Sequence, residues 1–428
     1  MYTSIMRENN TACNRLRCRV ILHRTLFLLM LLFMLQGPAL QAQEEVVFKL
    51  PEGVEKVEIP IENHNNLIVI PVIINGLVKS KFILDSGASG NVLLERLIAD
   101  FLELEYSQEI SVAGAGGEGI IRAYRSDSVV LSLEGIHSNP TGVIVLEQDY
   151  LLLKEFLGIE VQGIMGTSVF KDLVVEIDYE NYNLILHNPE YFKPPKGFET
   201  LDIKLKNNKP YIKGEVKQYG GEWISSDFLV DLGASHALLL ELDDNNPFQI
   251  PEKHLETSLG RGLSGDIEGY VGRVEQYKIG PFELQDVLTS FTPLYSKIQL
   301  HGRVGTIGGE LLSRFHVLVN FQDNKLYLKK EKAFDDPFKY NMSGMDVIAF
   351  GEDYKRIVVA DVLQGSPAEE AGIEPGDEIL KINWIPVRFY SLSHINSILR
   401  SREEKKIRLK ILRDDEKIKR KFRLKKMI

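Results

Sequence analysis

The chain has 428 residues, a length that corresponds to about three domains of about 150 residues each. Hydrophobic residues make up 44% and charged residues 26%, which is ordinary for a globular protein and argues against extensive disorder. The formal net charge of −9 argues against the basic surface that nucleic-acid binders usually carry, so we expect no nucleic-acid partner.

Residues 1–42 have the layout of an export signal. An apolar stretch at 25–35 precedes small residues at Ala39 and Ala42 that suit cleavage. A membrane anchor is the alternative, but this stretch is shorter than the about 20 residues needed to span a bilayer. We therefore predict a cleaved signal peptide and a mature protein that does not span the membrane. The basic flank of this signal contains Arg15, Arg17, Arg19 and Arg24.

Both cysteines, Cys13 and Cys18, lie inside this predicted signal. The rest of the chain therefore has neither a disulfide nor a cysteine metal site. An acidic, cysteine-free exported chain fits the periplasm of a Gram-negative bacterium, and that is the localisation we predict.

The strongest feature of the sequence is an internal repeat. Residues 82–89, FILDSGAS, recur as residues 228–235, FLVDLGAS, and the two aspartates are 146 positions apart (231 minus 85). Two apolar strands precede each copy, joined by turn residues at Asn75-Gly76 and at Gly220-Gly221.

The repeat continues downstream of each copy. Gly163-Ile-Met-Gly166 and Gly305-Thr-Ile-Gly308 are each followed by a phenylalanine and two short strands. A strand-for-strand duplication without long helical patterns predicts two β lobes, residues 43–196 and 197–336. Duplication alone would equally favour a repeated β domain without chemistry.

Asp85 and Asp231 are the repeated residues that point to chemistry. Each stands at the end of an apolar strand, where an unpaired carboxylate is costly. Gly87 and Gly233, two positions later, allow the backbone to turn sharply so that an N–H can reach the carboxylate. Two such loops facing each other bring two carboxylates together, and like charges that close share a proton. One carboxylate then activates water as a base, while the other polarises a scissile carbonyl as an acid.

Asp85-Ser-Gly-Ala resembles the Asp-Thr/Ser-Gly-Ala signature of retroviral and pepsin-family aspartic peptidases. Ile164-Met-Gly166 and Thr306-Ile-Gly308 are similar to the hydrophobic-hydrophobic-Gly element of that family, which underlies each catalytic loop. The resemblance implies two pseudo-symmetric β-barrel lobes, a catalytic dyad of Asp85 and Asp231, and support from Gly166 and Gly308.

The same resemblance implies peptide or unfolded-protein substrates and an enzyme that uses a bound water, with no metal and no organic cofactor. It also implies β-hairpin flaps over the substrate, and residues 111–119 and 259–265 stand where such flaps would be. The glycine-rich residues 114–119 lack the Gly-Lys-Ser/Thr of a phosphate loop, and no His-Glu-x-x-His pattern supports a zinc site.

One position departs from the family pattern. The family has Thr or Ser after both aspartates, and these hydroxyls brace the loops against each other. Ser86 keeps the hydroxyl, whereas Leu232 lacks it, so we expect the bracing to be one-sided. This departure leaves open a second hypothesis, a peptide-binding protein with weak or lost peptidase activity. Because one chain carries both loops, we expect a monomer to be sufficient.

Residues 340–428 form a third predicted domain. Residues 365–373, GSPAEEAGI, and 375–383, PGDEILKIN, resemble the PDZ domains of bacterial trypsin-like and tail-specific proteases. The resemblance implies a small α+β domain that binds protein C-termini, with a carboxylate-binding loop at residues 343–347. The alternative is a PDZ-shaped domain that only packs on the lobes. The residues assigned to peptide binding are Gly344, Met345 and Val347 of the loop and strand, with Leu392, Ile395 and Leu399 of a helix.

Overall fold

The computed structural model describes residues 48–88, 90–113, 120–243, 247–293 and 304–428, which belong to one compact unit. The predicted signal peptide, residues 1–42, lies outside the described residues. None of the helices in these ranges has the length and apolarity needed to cross a bilayer. The expectation of a mainly β protein is confirmed. The domain boundaries stay predictions.

The first lobe consists of short strands with a few helical turns between them. The helical segments are α1 (Arg96–Phe101), α2 (Leu153–Leu157) and a 3-10 turn at Thr167–Phe170. The strands are β1 (Lys56–Pro60), β2 (Glu62–His64), β3 (Leu67–Ile74), β4 (Val78–Asp85), β5 (Asn91–Leu93), β6 (Gln108–Ala113), β7 (Ile120–Val129), β8 (Leu131–Leu133), β9 (Ile136–His137), β10 (Thr141–Leu146), β11 (Gly163–Gly166), β12 (Val174–Asp178) and β13 (Asn183–His187).

The second lobe repeats this plan. Its helix is α3 (Gly309–Leu312). Its strands are β14 (Glu199–Lys206), β15 (Lys209–Lys217), β16 (Trp223–Val230), β17 (Leu238–Leu242), β18 (Leu255–Gly262), β19 (Gly265–Ile279), β20 (Phe282–Pro293), β21 (Gly305–Ile307), β22 (Phe315–Asn320) and β23 (Lys325–Lys330).

The strands that precede the two aspartates show why the sequence folds this way. β3 is rich in Ile and Val, whose branched side chains favour extended backbone, and it pairs with β4 across the Asn75-Gly76 turn. Both turn residues have positive φ, 50° and 69°, as predicted for a tight hairpin. β15 and β16 form the equivalent hairpin in the second lobe.

The lobes are joined through a shared sheet. β12 of the first lobe pairs antiparallel with β22 of the second, and Val175 lies opposite Val319. Along this sheet the strand order begins β1-β13-β12-β22-β23-β14. A continuous apolar core, which includes Phe170 and Phe315, extends through both lobes. The strands that end at Asp85 and Asp231 therefore pack on one continuous core.

The C-terminal domain has its own sheet and core. Its sheet runs in the order β24-β25-β26-β28-β29, and β27 pairs with β26, so β24 is an edge strand. The elements are β24 (Met345–Phe350), β25 (Arg356–Val362), α4 (Pro367–Glu370), β26 (Glu378–Ile382), β27 (Ile385–Pro386), a 3-10 turn at Val387–Phe389, α5 (Leu392–Leu399), β28 (Lys406–Arg413) and β29 (Glu416–Arg423).

Candidate active site

Asp85 and Asp231 lie in equivalent positions at the ends of β4 and β16. β4 pairs in parallel with β11, so that Asp85 is opposite Gly166, and β16 pairs in parallel with β21. The backbone N–H groups of Gly87 and Ala88 donate to Oδ1 of Asp85 over 2.6 and 3.0 Å. The N–H of Gly233 donates to Oδ1 of Asp231 over 2.9 Å. Both loops therefore hold one carboxylate oxygen in a fixed place.

The two loops face each other closely enough that each glycine makes room for the opposite aspartate. A Cβ on Gly87 would lie 2.7 Å from Oδ2 of Asp231, and a Cβ on Gly233 would lie 2.3 Å from Cγ of Asp85. Neither glycine has a positive φ. A sharp turn was the expected role of these glycines, but their close approach to the opposite aspartates gives a different reason for a glycine at each position. Any side chain at either position would push the two carboxylates apart.

The environment of Asp85 favours its protonated form. Burial, the negative charge of Asp231 and a hydrogen bond between the two carboxyl groups raise the pKa of Asp85, while the N–H groups of Gly87 and Ala88 oppose this rise. Two carboxyls in such contact lose their protons in two separate steps. Near neutral pH, a pair of this kind holds one proton between its members.

The bracing of the two loops is one-sided. The hydroxyl of Ser86 donates to the carbonyl oxygen of Val230 over 2.7 Å and accepts from the N–H of Leu232 over 2.9 Å. Leu232 itself is only 3% exposed and lines a small apolar cavity together with Val317 and Val319. In the place of a second hydroxyl, the chain thus has a side chain that packs into the core between the lobes.

Gly166 and Gly308 lie directly under the two loops, as the resemblance implied. A Cβ on Gly166 would lie 2.8 Å from the carbonyl oxygen of Gly90. A Cβ on Gly308 would lie 2.2 Å from the carbonyl oxygen of His236. Only glycine allows the backbone of each loop to lie this close to the strand beneath it.

One of the two expected flaps can be followed in full. β18 and β19 form a hairpin in which Gly262 is opposite Gly265, and its tip contacts the first lobe. Nε of Arg261 donates to the carbonyl oxygen of Tyr150 over 2.8 Å, and Leu263 packs against apolar side chains of the first lobe. The other expected flap follows the end of β6, and residues 114–119 lie outside the described residues.

The turn between β2 and β3, to which no motif pointed, reaches the Asp231 loop. Nδ2 of Asn66 donates to the carbonyl oxygen of Ser235 over 3.0 Å. The signal was present in the sequence, because Asn65-Asn66 recurs as Asn207-Asn208 142 positions later (208 minus 66). All four asparagines have positive φ, which Asn tolerates better than most residues.

Asp178, His316 and Glu331 bring potential metal-ligand atoms within 4.8 Å of one another, although no sequence pattern pointed to them. Both ring nitrogens of His316 already face carboxylates, with Glu176 at 2.7 Å and Glu331 at 3.2 Å. Contact with Glu176 raises the pKa of His316 against the opposing effect of burial. The chemistry of the cluster is accordingly that of an ion-pair network.

The predicted carboxylate-binding loop of the C-terminal domain is engaged internally. The N–H of Ser343 donates to Oδ1 of Asn341 over 3.0 Å, and the N–H of Met345 donates to Oγ of Ser343 over 3.2 Å. Gly344 has a φ of 75° and packs against Ser366. The N–H groups of Ser343 and Met345 are therefore engaged within the loop itself, and capture of a chain terminus by residues 343–347 stays a prediction. The other side chains assigned to peptide binding, those of Val347, Leu392, Ile395 and Leu399, are buried in the core of this domain.

A segment of the first lobe covers the groove between β24 and α5. α2 contacts β24. Gly158, the residue that follows α2, lies against α5 and β24. A Cβ on Gly158 would lie 2.8 Å from Cβ of Leu392 and 3.4 Å from Cβ of Ala349. The hydroxyl of Tyr354 also donates to Glu160 over 3.0 Å. A peptide can enter this groove only if the first-lobe segment moves.

Comparisons with known proteins agree with this geometry in two places. Residues 70–169, which include Asp85 and Gly166, match the family described as aspartyl protease. Residues 358–413 match the family described as PDZ domain.

Two curated relatives are carboxy-terminal processing proteases of Bacillus subtilis (strain 168). CtpA is 29% identical over 89 residues, which is 20% of this chain and 19% of CtpA. CtpB is 32% identical over 103 residues, which is 24% of this chain and 21% of CtpB. This chain spans only about a fifth of the length of these relatives.

Among solved structures, an aspartic proteinase from Irpex lacteus aligns with 65% of this chain and 98% of its own length, at 12% identity. Its TM-score of 0.43 is too low to carry an argument. The family matches identify an aspartyl-protease-like region at residues 70–169 of this chain and a PDZ domain at residues 358–413.

Proposed function

We propose that the chain is an aspartic endopeptidase that hydrolyses peptide bonds with a water activated between Asp85 and Asp231. The observation that carries the proposal is the reciprocal packing of the loops, in which each glycine leaves room for the opposite carboxylate. An aspartate that only stabilises a turn would not be placed against a second buried carboxylate, because that contact is unfavourable when both groups are charged.

The mechanism follows from a pair that holds one proton. The ionised carboxylate takes a proton from a water, and the resulting hydroxide attacks the scissile carbonyl carbon. The protonated carboxyl donates to the carbonyl oxygen and stabilises the tetrahedral intermediate. When the intermediate collapses, the C–N bond breaks and the leaving nitrogen takes a proton from the dyad. One hydroxyl of the intermediate returns its proton to the dyad as the new carboxyl group forms, so the pair again holds one proton. The proton belongs to the pair, so neither residue has a permanent role as acid.

We propose further that the PDZ domain recognises peptides or protein C-termini. The position of β24 at the edge of its sheet supports this role, since an extended peptide can add to an edge strand. Because the groove between β24 and α5 is covered, a peptide can bind there only after it displaces the residues near Gly158. Export to the periplasm stays a prediction of the N-terminal sequence.

The first prediction concerns the dyad itself. We expect Asp85→Ala and Asp231→Asn each to lower kcat/KM by at least about 100-fold, the scale of acid–base catalysis, while both proteins stay folded. The assay is cleavage of a peptide library between pH 4 and pH 8, followed by mass spectrometry. Asp335→Asn, which changes an exposed aspartate, is the control.

Two outcomes would contradict this assignment. Retained turnover in Asp85→Ala would exclude Asp85 from the chemistry. An active Asp231→Asn protein whose specific activity rises with concentration would instead indicate a dyad formed by two first lobes of separate chains. A wild-type protein that cleaves no peptide would favour the peptide-binding hypothesis.

The second prediction is a pH dependence of stability that needs no substrate. The pKa of Asp85 in the folded state is raised above the value of about 3.9 in an unfolded chain, so unfolding releases this proton. The free energy of unfolding should therefore fall as pH rises from the unfolded pKa towards the folded one, by at most about 1.4 kcal/mol per pH unit. Denaturant unfolding between pH 4 and pH 8 should show this slope in the wild type and not in Asp85→Asn. Parallel slopes would contradict a shared proton.

The third prediction tests the one-sided bracing. Leu232→Thr removes buried apolar contacts and adds a hydroxyl, so we expect a loss of about 1–3 kcal/mol in the free energy of unfolding with peptidase activity retained. Leu232→Ala is the matched control, because it loses the contacts without gaining the hydroxyl. Equal activity and equal stability in the two variants would show that a hydroxyl at this position makes no bracing hydrogen bond.

The fourth prediction concerns the covered groove. Gly158→Ala adds a Cβ that collides with Leu392, so it should open the groove and tighten binding of a peptide with a free apolar C-terminus by about three- to tenfold. Gly197→Ala is the matched control, since Gly197 also has a positive φ but has nothing within 4 Å of its Cβ position. Calorimetry with free and amidated peptides on the full chain provides the measurement. Equal affinity for both peptides, or for both variants, would contradict recognition at this groove.

A further inference from the structure

The residue that follows each aspartate differs between the two loops. Ser86 of the first loop reaches the backbone on both sides of Asp231, whereas Leu232 has no hydroxyl with which to return the contact. The Asp231 loop therefore receives polar support from the first lobe through Ser86. Asn66 supplies a second contact from that same lobe.

Asn66 contacts both parts of the chain that shape the Asp231 loop. Its Nδ2 donates to the carbonyl oxygen of Ser235, four residues after Asp231, over 3.0 Å. Its own carbonyl oxygen lies against Gly309, where a Cβ would come within 1.9 Å of it. The N–H of Gly309 in turn donates to the carbonyl oxygen of Ala234 over 2.7 Å. Asn66 thus touches the loop and the turn beneath it.

The duplicated sequence provides an internal comparison. Val69 pairs with Ile83 in the first lobe, and Tyr211 pairs with Leu229 in the second, so by register Asn66 corresponds to Asn208. Asn208 is exposed at the turn between β14 and β15. The same turn was therefore copied. Asn66 contacts the opposite aspartate loop at Ser235, and Ser89, the residue equivalent to Ser235 in the first loop, lies outside the described residues.

The PDZ domain also contacts the Asn65-Asn66 turn. Oδ1 of Asn65 accepts from Nδ2 of Asn396, on α5, over 3.1 Å. Nδ2 of Asn65 donates to the carbonyl oxygen of Phe156, in α2, over 2.8 Å. The side chain of Asn65 is thereby fixed between the PDZ helix and the first lobe, and it fixes the position of Asn66.

We propose that Asn66 is a positioning residue for the Asp231 loop and that α5 of the PDZ domain holds it in place through Asn65. The proposal rests on the peptidase function proposed above. It assigns the PDZ domain a part in forming the active site, in addition to any recognition of peptides. Asn66 touches no reacting atom, so its effect is on the geometry of the dyad.

Asn66→Gly tests this role cleanly, because glycine fits the φ of 66° and removes only the side chain. Asn208→Gly is the matched control, with a φ of 60° and the same cost in chain entropy. We expect Asn66→Gly to lower kcat by about three- to tenfold, the scale of one lost hydrogen bond, with KM within about twofold. Asn396→Ala should lower kcat in the same direction by a smaller factor. Asn208→Gly should leave both constants unchanged.

Hydrogen exchange at residues 231–236 gives a second readout that does not depend on turnover. We expect faster exchange there in Asn66→Gly and Asn396→Ala than in the wild type or Asn208→Gly. If the wild type cleaves no peptide but this difference is found, the proposed function fails and the positioning role stands. If Asn66→Gly matches Asn208→Gly in kcat and in exchange, the positioning role is overturned. Should Asn66→Gly fail to fold, the same comparison is made with Asn396→Ala.

Discussion

The constraint on which the rest of this structure depends is the contact between two carboxylates from opposite lobes. Gly87 leaves room for Asp231 and Gly233 leaves room for Asp85, so the loops can approach only because neither position has a side chain. Such a contact is unfavourable when both groups are charged, and one shared proton removes most of the repulsion. The shared sheet across β12 and β22 holds the lobes in the register that this contact requires.

The supports around this contact have become asymmetric although the lobes are copies. Leu232 packs against β22, whereas Ser86, at the equivalent position of the first lobe, donates a hydrogen bond to the opposite loop. The Asn65-Asn66 turn of the first lobe contacts the Asp231 loop, whereas its counterpart in the second lobe is exposed. The PDZ domain joins this arrangement through Asn396. A change at α5 therefore has a direct route to one catalytic loop.

Features that follow from local sequence and from duplication were predicted correctly. The hairpin at Asn75-Gly76, the strands that end at the two aspartates and the missing hydroxyl of Leu232 all follow from short motifs repeated at a nearly constant offset. The reason for Gly87 could not be predicted in this way, because it depends on an atom 144 residues away (231 minus 87) in the opposite loop. The covered PDZ groove was missed for the same reason, since Gly158 and Leu392 meet only through tertiary packing.

The proposed chemistry requires that one chain assembles a pair of aspartates that shares a proton. A titration of the protein with 13C-labelled aspartate carboxyls, followed by NMR at a concentration where the chain is monomeric, tests it most directly. We expect Asp85 and Asp231 to titrate together in two steps more than about one pH unit apart, and Asn at either position to leave the other with a single step. Two independent titrations near the ordinary aspartate pKa, unaffected by these substitutions, would contradict it.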